Sequence, residues 1–472
     1  MRKITKAILV SALASAWLAG CGGGGDGDSG RTATEGRPSA ASEPQIDSPA
    51  PKVETPPANL RYSTNISTFA VGRAISPTTP DSQGGAITHY SVSPALPDGL
   101  TLNSETGVIS GTPTLKQERS YYTITGENGA GKTVTGIAIS VVLAGEWFGA
   151  SAMNIQRSAP GVAVLPGGQI VVAGGTDTGG NALPSAEVFD SPTGKWIYTG
   201  TMNTPRSKLA VTVLADGRVV AAGGRSQTNF LSSAEIYDPK TSRWSLTGNM
   251  SQARVSPAMV LLADGKVLVT GGSTFGSIAS SEIFDPSSGR WVDAGQMNTP
   301  RERPTLIRLP NGKVLVAGGD SNFSVSASTE VFDPAIGTWT PTGTMNTARD
   351  QFAAVALRDG RVLVAGGWDA AAIASAEIYD PSSGKWSSAG QMNVARVGAS
   401  AVLLASGKVL ISGGSGVSPL SSAEIYDPAT GKWSLAKDMN NGRIFHGSTV
   451  LDDGGVMVFG GANTPTSERW FE

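Results

Sequence analysis

Cysteine, histidine and charge are all scarce in this chain of 472 residues: one cysteine, two histidines, and charged side chains at 16% of positions. A single thiol closes no disulfide within the chain, so no disulfide framework holds the fold. His89 and His446 are too few imidazoles for a histidine-based zinc site. A lone imidazole without a recognisable nucleophile loop also gives no serine-histidine-aspartate arrangement. The net charge is -2 and no long basic run occurs, which argues against nucleic acid as a partner. Downstream of the N-terminal apolar run there is no second hydrophobic span, so the domains that follow are expected to be soluble. Helical periodicity is missing as well, leaving strands as the only regular element.

What is abundant is repetition. Met-x-x-x-Arg returns seven times, ending in Arg157, Arg206, Arg254, Arg301, Arg349, Arg396 and Arg443. Each arginine is followed by a diglycine, from Gly174-Gly175 to Gly460-Gly461, and the unit length of about 47 to 49 residues is that of a four-stranded propeller blade. One unit reads directly. Apolar Met259-Val260-Leu261-Leu262 meets Asp264-Gly265, a hairpin turn because glycine accepts positive φ, and Lys266-Val267-Leu268-Val269 returns. After the glycines come Glu282-Ile283-Phe284-Asp285, a Ser-Ser-Gly turn and Arg290-Trp291-Val292, giving strands a, b, c and d.

The diglycine, the aromatic on strand c and the tryptophan on strand d resemble the kelch repeat. The tryptophans are Trp147, Trp196, Trp244, Trp291, Trp339, Trp386 and Trp433, expected to interleave between blades. Trp147 stands upstream of the first arginine, while the last unit stops at Glu468-Arg469-Trp470 without a d strand. The segment around Trp147 is therefore predicted to complete the C-terminal blade and close a seven-bladed ring over 144–472. Closure removes the unpaired sheet edges of an open array.

Three segments precede the ring. Residues 1–20 pair Arg2, Lys3 and Lys6 with an apolar run, as a secretory signal does. Leu18-Ala19-Gly20-Cys21 resembles the lipobox of bacterial lipoproteins, which implies a lipid on Cys21, membrane association through that anchor alone and, with Gly22 rather than Asp next, the outer membrane of a Gram-negative bacterium. Residues 21–57 are Gly, Ser, Pro, Asp and Glu with almost no large apolar side chain, a tether too poor in apolar surface to order itself. Residues 58–143 alternate in short strands, and Leu96-Pro97-Asp98-Gly99-Leu100 running on to Gly111-Thr112-Pro113 resembles the Ig-like domains of bacterial surface proteins, implying a small β-sandwich used as a spacer. Within it, Gly126-Glu127-Asn128-Gly129-Ala130-Gly131-Lys132-Thr133 satisfies the formal P-loop pattern, but an alternating strand follows where a helix N-terminus is required, so no nucleotide is expected.

The phrasing of the repeats also resembles galactose oxidase, whose copper site needs two histidines, two tyrosines and a cysteine joined to one of them. The ring here has only His446 and no cysteine, so neither that activity nor any metal or other cofactor is predicted. The arginine ring invites a binding role, capture of a carboxylated sugar or an acidic peptide. Strands a and c start at the same end of a blade, however, and Glu187, Glu235, Glu282, Glu330, Glu377, Glu424 and Glu468 open strand c, one per arginine. Arg-Glu pairs tying strands or neighbouring blades are expected.

If repeated residues serve the ring, ligand contacts belong where the units differ. Two positions after the arginines stand Ala159, Lys208, Ser256, Arg303, Gln351, Gly398 and Phe445, of which Lys208, Arg303 and Gln351 are the polar candidates, and the b-to-c loops on the same face carry Phe230, Phe275, Phe323 and Trp368 near Asn229, Asn322, Asp320 and Asp369. Aromatics beside short polar groups suit sugar faces and hydroxyls, or the same rings lie down on adjacent blades. The expectation is an envelope-anchored, non-catalytic propeller that binds a glycan or a protein on its loop face. Two alternatives stay open: a metal-independent carbohydrate enzyme similar in plan to the kelch-type sialate mutarotases, with a rim carboxylate such as Asp350 at work, or a purely structural surface module.

Overall fold

The structure is a computed structural model that describes residues 54–191, 193–461 and 464–472. The predicted signal segment, Cys21 and the predicted tether as far as residue 53 lie outside the described residues, while Pro57, the last residue assigned to the tether, opens a strand.

The first strand of the sandwich is Pro57–Tyr62, paired with Pro80–Gly84. A four-stranded sheet follows the order Ile66–Ala70, Gly131–Val142, Gln117–Asn128, His89–Ser93, with the first pair parallel. Alternation sorts its faces: Tyr122, Ile124, Ile137, Ile139 and Val141 are buried with Tyr62 and Tyr90, while Tyr121 is exposed. The P-loop look-alike is the turn of the long hairpin. Asn128 Oδ1 accepts the N–H groups of Ala130 at 3.0 Å and Gly131 at 3.2 Å, and Lys132 and Thr133 already sit in the returning strand.

Seven four-stranded sheets make up the rest of the molecule. Sectors 1 to 6 span 161–198, 210–246, 258–301, 305–341, 353–391 and 400–435. Each runs a-b-c-d in antiparallel order. Strand b is buried on both faces, as in Val267–Thr270, because it lies between neighbours in its own sheet and the sheets on either side. That double burial explains its unbroken run of Val, Leu and Ala.

The strand-d tryptophan links adjacent sectors. Its ring lies 4.9 Å from the strand-c aromatic in Phe284–Trp291 and 5.1 Å in Phe332–Trp339. Except at Trp244, its indole N–H reaches back to the preceding sector, from Trp339 to Ser281 Oγ at 2.9 Å and from Trp291 to the Gly248 carbonyl at 2.8 Å. Trp291, Trp386 and Trp433 are only half-buried, so the seven rings are not equivalent.

Sector 7 takes three strands from the C-terminus, Gly447–Val450, Val456–Phe459 and Ser467–Trp470, and its fourth, Trp147–Ala150, from the beginning of the ring. The register pairs Trp470 with Trp147, Arg469 with Phe148 and Glu468 with Gly149. Trp147 is buried beside Trp470 and Met439, and its indole N–H donates to the Lys437 carbonyl at 2.8 Å. Hydrogen bonds between the two ends of the ring thus close it, and no outer edge of sector 7 is left as a three-stranded stub.

Candidate functional site

All seven arginines are fully buried, so none presents its guanidinium to a ligand. Arg301 shows what they do. Its Nη1 donates to the carbonyls of Gly318 at 2.9 Å and Ser328 at 2.8 Å, and Nη2 to Ser328 Oγ at 2.8 Å and Glu330 Oε1 at 3.2 Å. Glu330 also accepts the backbone N–H groups of Asn298 at 2.7 Å and Thr299 at 3.0 Å. The same ion pair recurs as Arg157–Glu187, Arg206–Glu235, Arg254–Glu282, Arg349–Glu377, Arg396–Glu424 and Arg443–Glu468. Burial pulls Arg301 below the ordinary guanidinium pKa against the opposing pull of Glu330. Burial alone raises the Glu235 carboxyl, but bonds from Asn203 and Arg206 outweigh it and hold the group below its usual range.

The backbone of the same segment binds the sector before it. The Arg301 carbonyl accepts the Gly272 N–H at 2.8 Å, and the Arg254 carbonyl that of Gly224 at 2.7 Å. Gly223 and Gly224 both have positive φ, and a methyl on Gly223 would stand 2.6 Å from the Arg254 carbonyl oxygen. The diglycine is therefore required by close approach of the next arginine's backbone as well as by its own conformation. Side chain to its own sector and carbonyl to the previous one make six of the seven arginines, Arg206 to Arg443, clamps between blades.

Two residues beyond the arginines the chain turns left-handed in every sector: Ala159, Lys208, Ser256, Arg303, Gln351, Gly398 and Phe445 have φ between 48° and 63°. This conformation costs a non-glycine residue about 1–2 kcal/mol, and hydrogen bonds around the mouth of the ring offset it. Lys208 donates its N–H to the Ala159 carbonyl, Ser256 to Lys208, Arg303 to Ser256, Gly398 to Gln351 and Phe445 to Gly398, at 2.8 to 3.2 Å. Backbone atoms do this work, which is why the side chains are free to differ. The circle is not made between Phe445 and Ala159, nor between Arg303 and Gln351.

At that second opening, between sectors 4 and 5, lies a cleft of about 580 Å³ lined by Arg303, Asp320, Phe323, Gln351, Trp368 and Asp369, with Asp350 at its base. Four of the seven residues expected to touch a ligand meet here: Arg303, Gln351, Phe323 and Trp368. Arg303 is not the free cation expected of it. Its Nε and Nη2 donate to Asp350 at 3.0 and 2.8 Å, and Nη1 to Glu302 at 2.6 Å. Burial tends to lower its pKa, yet Asp350 and Glu302 raise it above the ordinary value, so it is a locked, neutralised charge. Gln351 Nε2 also donates to Asp350, at 3.0 Å. Phe323 is 93% exposed and Trp368 39%, both on short hairpins held by backbone bonds between Glu302 and Asp320 and between Asp350 and Trp368.

Lys208, Phe230 and Phe275 stand apart, in sectors 2 and 3. Lys208 is exposed, and Phe230 meets Phe275 edge-on at 5.4 Å, so that pair leans on itself across two sectors. A larger crevice of about 1110 Å³ between the sandwich and sector 7 is partly filled by Arg469, which lies 5.1 Å from the Phe471 ring and bonds Asp453, and it has mixed charge.

His446 is buried between sectors 6 and 7, with Nε2 3.1 Å from Ser412 Oγ. Burial first, and then the neighbouring Arg443, push its pKa down to about 3. Its position, three residues after the arginine, is held by Leu209 in sector 2 and Phe352 in sector 5, both buried apolar side chains. The folded state thus keeps the imidazole neutral while the unfolded chain protonates it near pH 6.5. Its stability contribution is complete above about pH 6.5 and is lost as pH falls toward 3, at up to about 1.4 kcal/mol per pH unit. His446→Phe should flatten the stability profile between pH 6.5 and 5; chemical denaturation at several pH values checks this, and parallel profiles for the two proteins would refute it.

Residues 56–143 match the family described as “Putative Ig domain”, and residues 157–203, 206–251, 351–393 and 396–440 match the “Kelch motif”. No curated protein sequence matches significantly. Among solved structures, a fungal alcohol oxidase of the AA5 family in complex with copper is similar with a TM-score of 0.58 and 21% identity, over 69% of this chain and 76% of that one. The residues here do not fit a copper centre of the galactose oxidase kind: the ring's single histidine is buried at a sector boundary on Ser412, and no cysteine lies in the ring. Among the described residues no group of three or more His, Cys, Asp or Glu is placed to hold a metal. Seven closed four-stranded sheets, the kelch-motif matches within them and the preceding domain together give this chain the fold of a kelch-type β-propeller with an N-terminal Ig-like domain.

Proposed function

We propose that this protein is a binding propeller of the cell envelope, tethered through Cys21, that recognises a glycan in the cleft between sectors 4 and 5. The observation that carries the reading is the meeting of two solvent-facing aromatics, Phe323 and Trp368, with the polar groups of Asp320, Gln351 and Asp369 around one cleft of about 580 Å³. An aromatic face covers the apolar side of a sugar ring while carboxylate and amide groups take its hydroxyls. Asp350, the rim carboxylate that an enzymatic role would recruit, is 2% exposed and held by Arg303 and Gln351. A carboxylate buried to this degree and held in a fixed position by Arg303 offers a substrate little access as a proton acceptor, which favours binding over turnover.

Titration calorimetry on the purified chain against a panel of neutral, acidic and amino sugars tests this. Trp368→Ala should weaken the best binder at least about tenfold, a loss of ~1.4 kcal/mol, with the ring still folded, since Trp368 is 39% exposed on a short loop hairpin outside the four-stranded sheets. Undiminished affinity in that variant would remove the cleft from the account, and a panel without any binder would remove the glycan.

A further inference from the structure

The loop face is electrically lopsided, and the cleft is its acidic part. The residue after each arginine is Ser158, Ser207, Val255, Glu302, Asp350, Val397 or Ile444, so carboxylates occupy this layer in sectors 4 and 5 alone. Asp320 and Asp369 add two more on the b-to-c hairpins of the same sectors. Against four carboxylates stands one guanidinium, Arg303, and it is spent on Asp350 and Glu302. Asp320 Oδ1 accepts the Phe323 N–H at 2.8 Å, which leaves its other oxygen unbonded, and the Asp369 carboxylate is exposed.

The second observation is in the backbone. The left-handed circle of hydrogen bonds is broken between Arg303 and Gln351, which leaves the Arg303 carbonyl and the Gln351 N–H without a backbone partner beside the cleft. The available groups there are thus chiefly acceptors: two carboxylates, one carbonyl and the electron-rich faces of Phe323 and Trp368. Acceptors and ring faces together match an ammonium group, which donates three hydrogen bonds and is attracted to an aromatic face. They are ill suited to a uronic or sialic acid, whose carboxylate would meet like charge.

Resting on the glycan reading above, we infer that the cleft is selective for amino sugars that carry a free, protonated amine, with the ammonium seated between Asp320 and Asp369 and the pyranose against Trp368. The specificity lies in the charge and not in the ring, so N-acetylation of the same sugar should abolish the advantage.

The test uses the full chain and three probes of matched length: a glucosamine tetramer, its fully N-acetylated counterpart and a lysine tetrapeptide, each titrated by calorimetry near neutral pH. The glucosamine tetramer should bind about tenfold or more tightly than the acetylated one, and the advantage should shrink in high salt. Asp369→Asn, at an exposed side chain without a structural bond, should erase most of that preference by weakening the glucosamine tetramer far more than the acetylated one. Asp320→Asn is the companion variant, since an amide oxygen can still accept the Phe323 N–H. Equal affinity for the two sugar tetramers would overturn the inference and leave the glycan reading intact. Tight binding of the lysine peptide with none of either sugar would overturn the inference, as would the absence of binding by all three, and in both cases the glycan reading is then decided by the wider sugar panel.

Discussion

Arg301→Ala should destabilise the propeller by about 3–5 kcal/mol, because it leaves a buried carboxylate without its countercharge. Glu330 would keep the N–H donors of Asn298 and Thr299, but the Gly318 and Ser328 carbonyls lose the guanidinium that satisfies them both. The ion pair itself adds less than this figure, since taking two charges out of water costs nearly as much as their attraction returns. The expected loss is that of orphaned groups. It should appear as a lower denaturation midpoint, with the proposed sugar binding retained by the fraction still folded. A wild-type midpoint combined with loss of binding would move the arginines from the framework into the site.

The second large effect belongs to the seam. Trp147→Ala should cost about 3–5 kcal/mol, from loss of the ring packed on Trp470 and Met439 and of the indole bond to the Lys437 carbonyl. A similar truncation at half-buried Trp291 should cost less, since more of that ring already meets water. Equilibrium denaturation of the two variants side by side measures the difference. Trp147 stands out for a further reason: its strand is contributed by the other end of the ring, so weakening it should open sector 7 before any other. A Trp147→Ala protein as stable as the wild type would show that the closing strand does little to hold the ring.

What could be read from the chain alone depended on repetition. Seven copies of Met-x-x-x-Arg, the diglycine and the strand-d tryptophan fix blade length, strand order and sector number, and the offset of Trp147 against the missing d strand after Trp470 locates the closure. Strand direction alone places the arginines and glutamates at one end, where the structure pairs them. The left-handed rim left almost no trace, because its position holds Lys, Ser, Arg, Gln and Phe, and only Gly398 carries a residue that prefers positive φ. Its hydrogen bonds run between residues nearly fifty apart and use only main-chain atoms, which impose no side-chain pattern.

Arg303 shows the same limit at the cleft. It pairs with Asp350 across a sector boundary, and a single pair at blade spacing has no second instance to reveal it. Read by residue type, Arg303 is a cation awaiting an anion; read in place, it is the partner that leaves the remaining carboxylates in excess. His446 was the one feature with an unused signal, since Leu209 and Phe352 at the matching positions mark that place as apolar packing.

The common face on which rim, hairpins and cleft come together exists only if the ring is closed by Trp147–Ala150. Native-state hydrogen exchange followed by mass spectrometry tests this directly, comparing the peptide that spans Trp147–Ala150 with the d strand of sector 2, Arg243–Leu246. Closure predicts similar protection in the two peptides and joint loss of protection in Trp147–Ala150 and Ser467–Trp470 as denaturant rises. Exchange of 147–150 at the rate of an unstructured peptide, with 467–470 still protected, would contradict it.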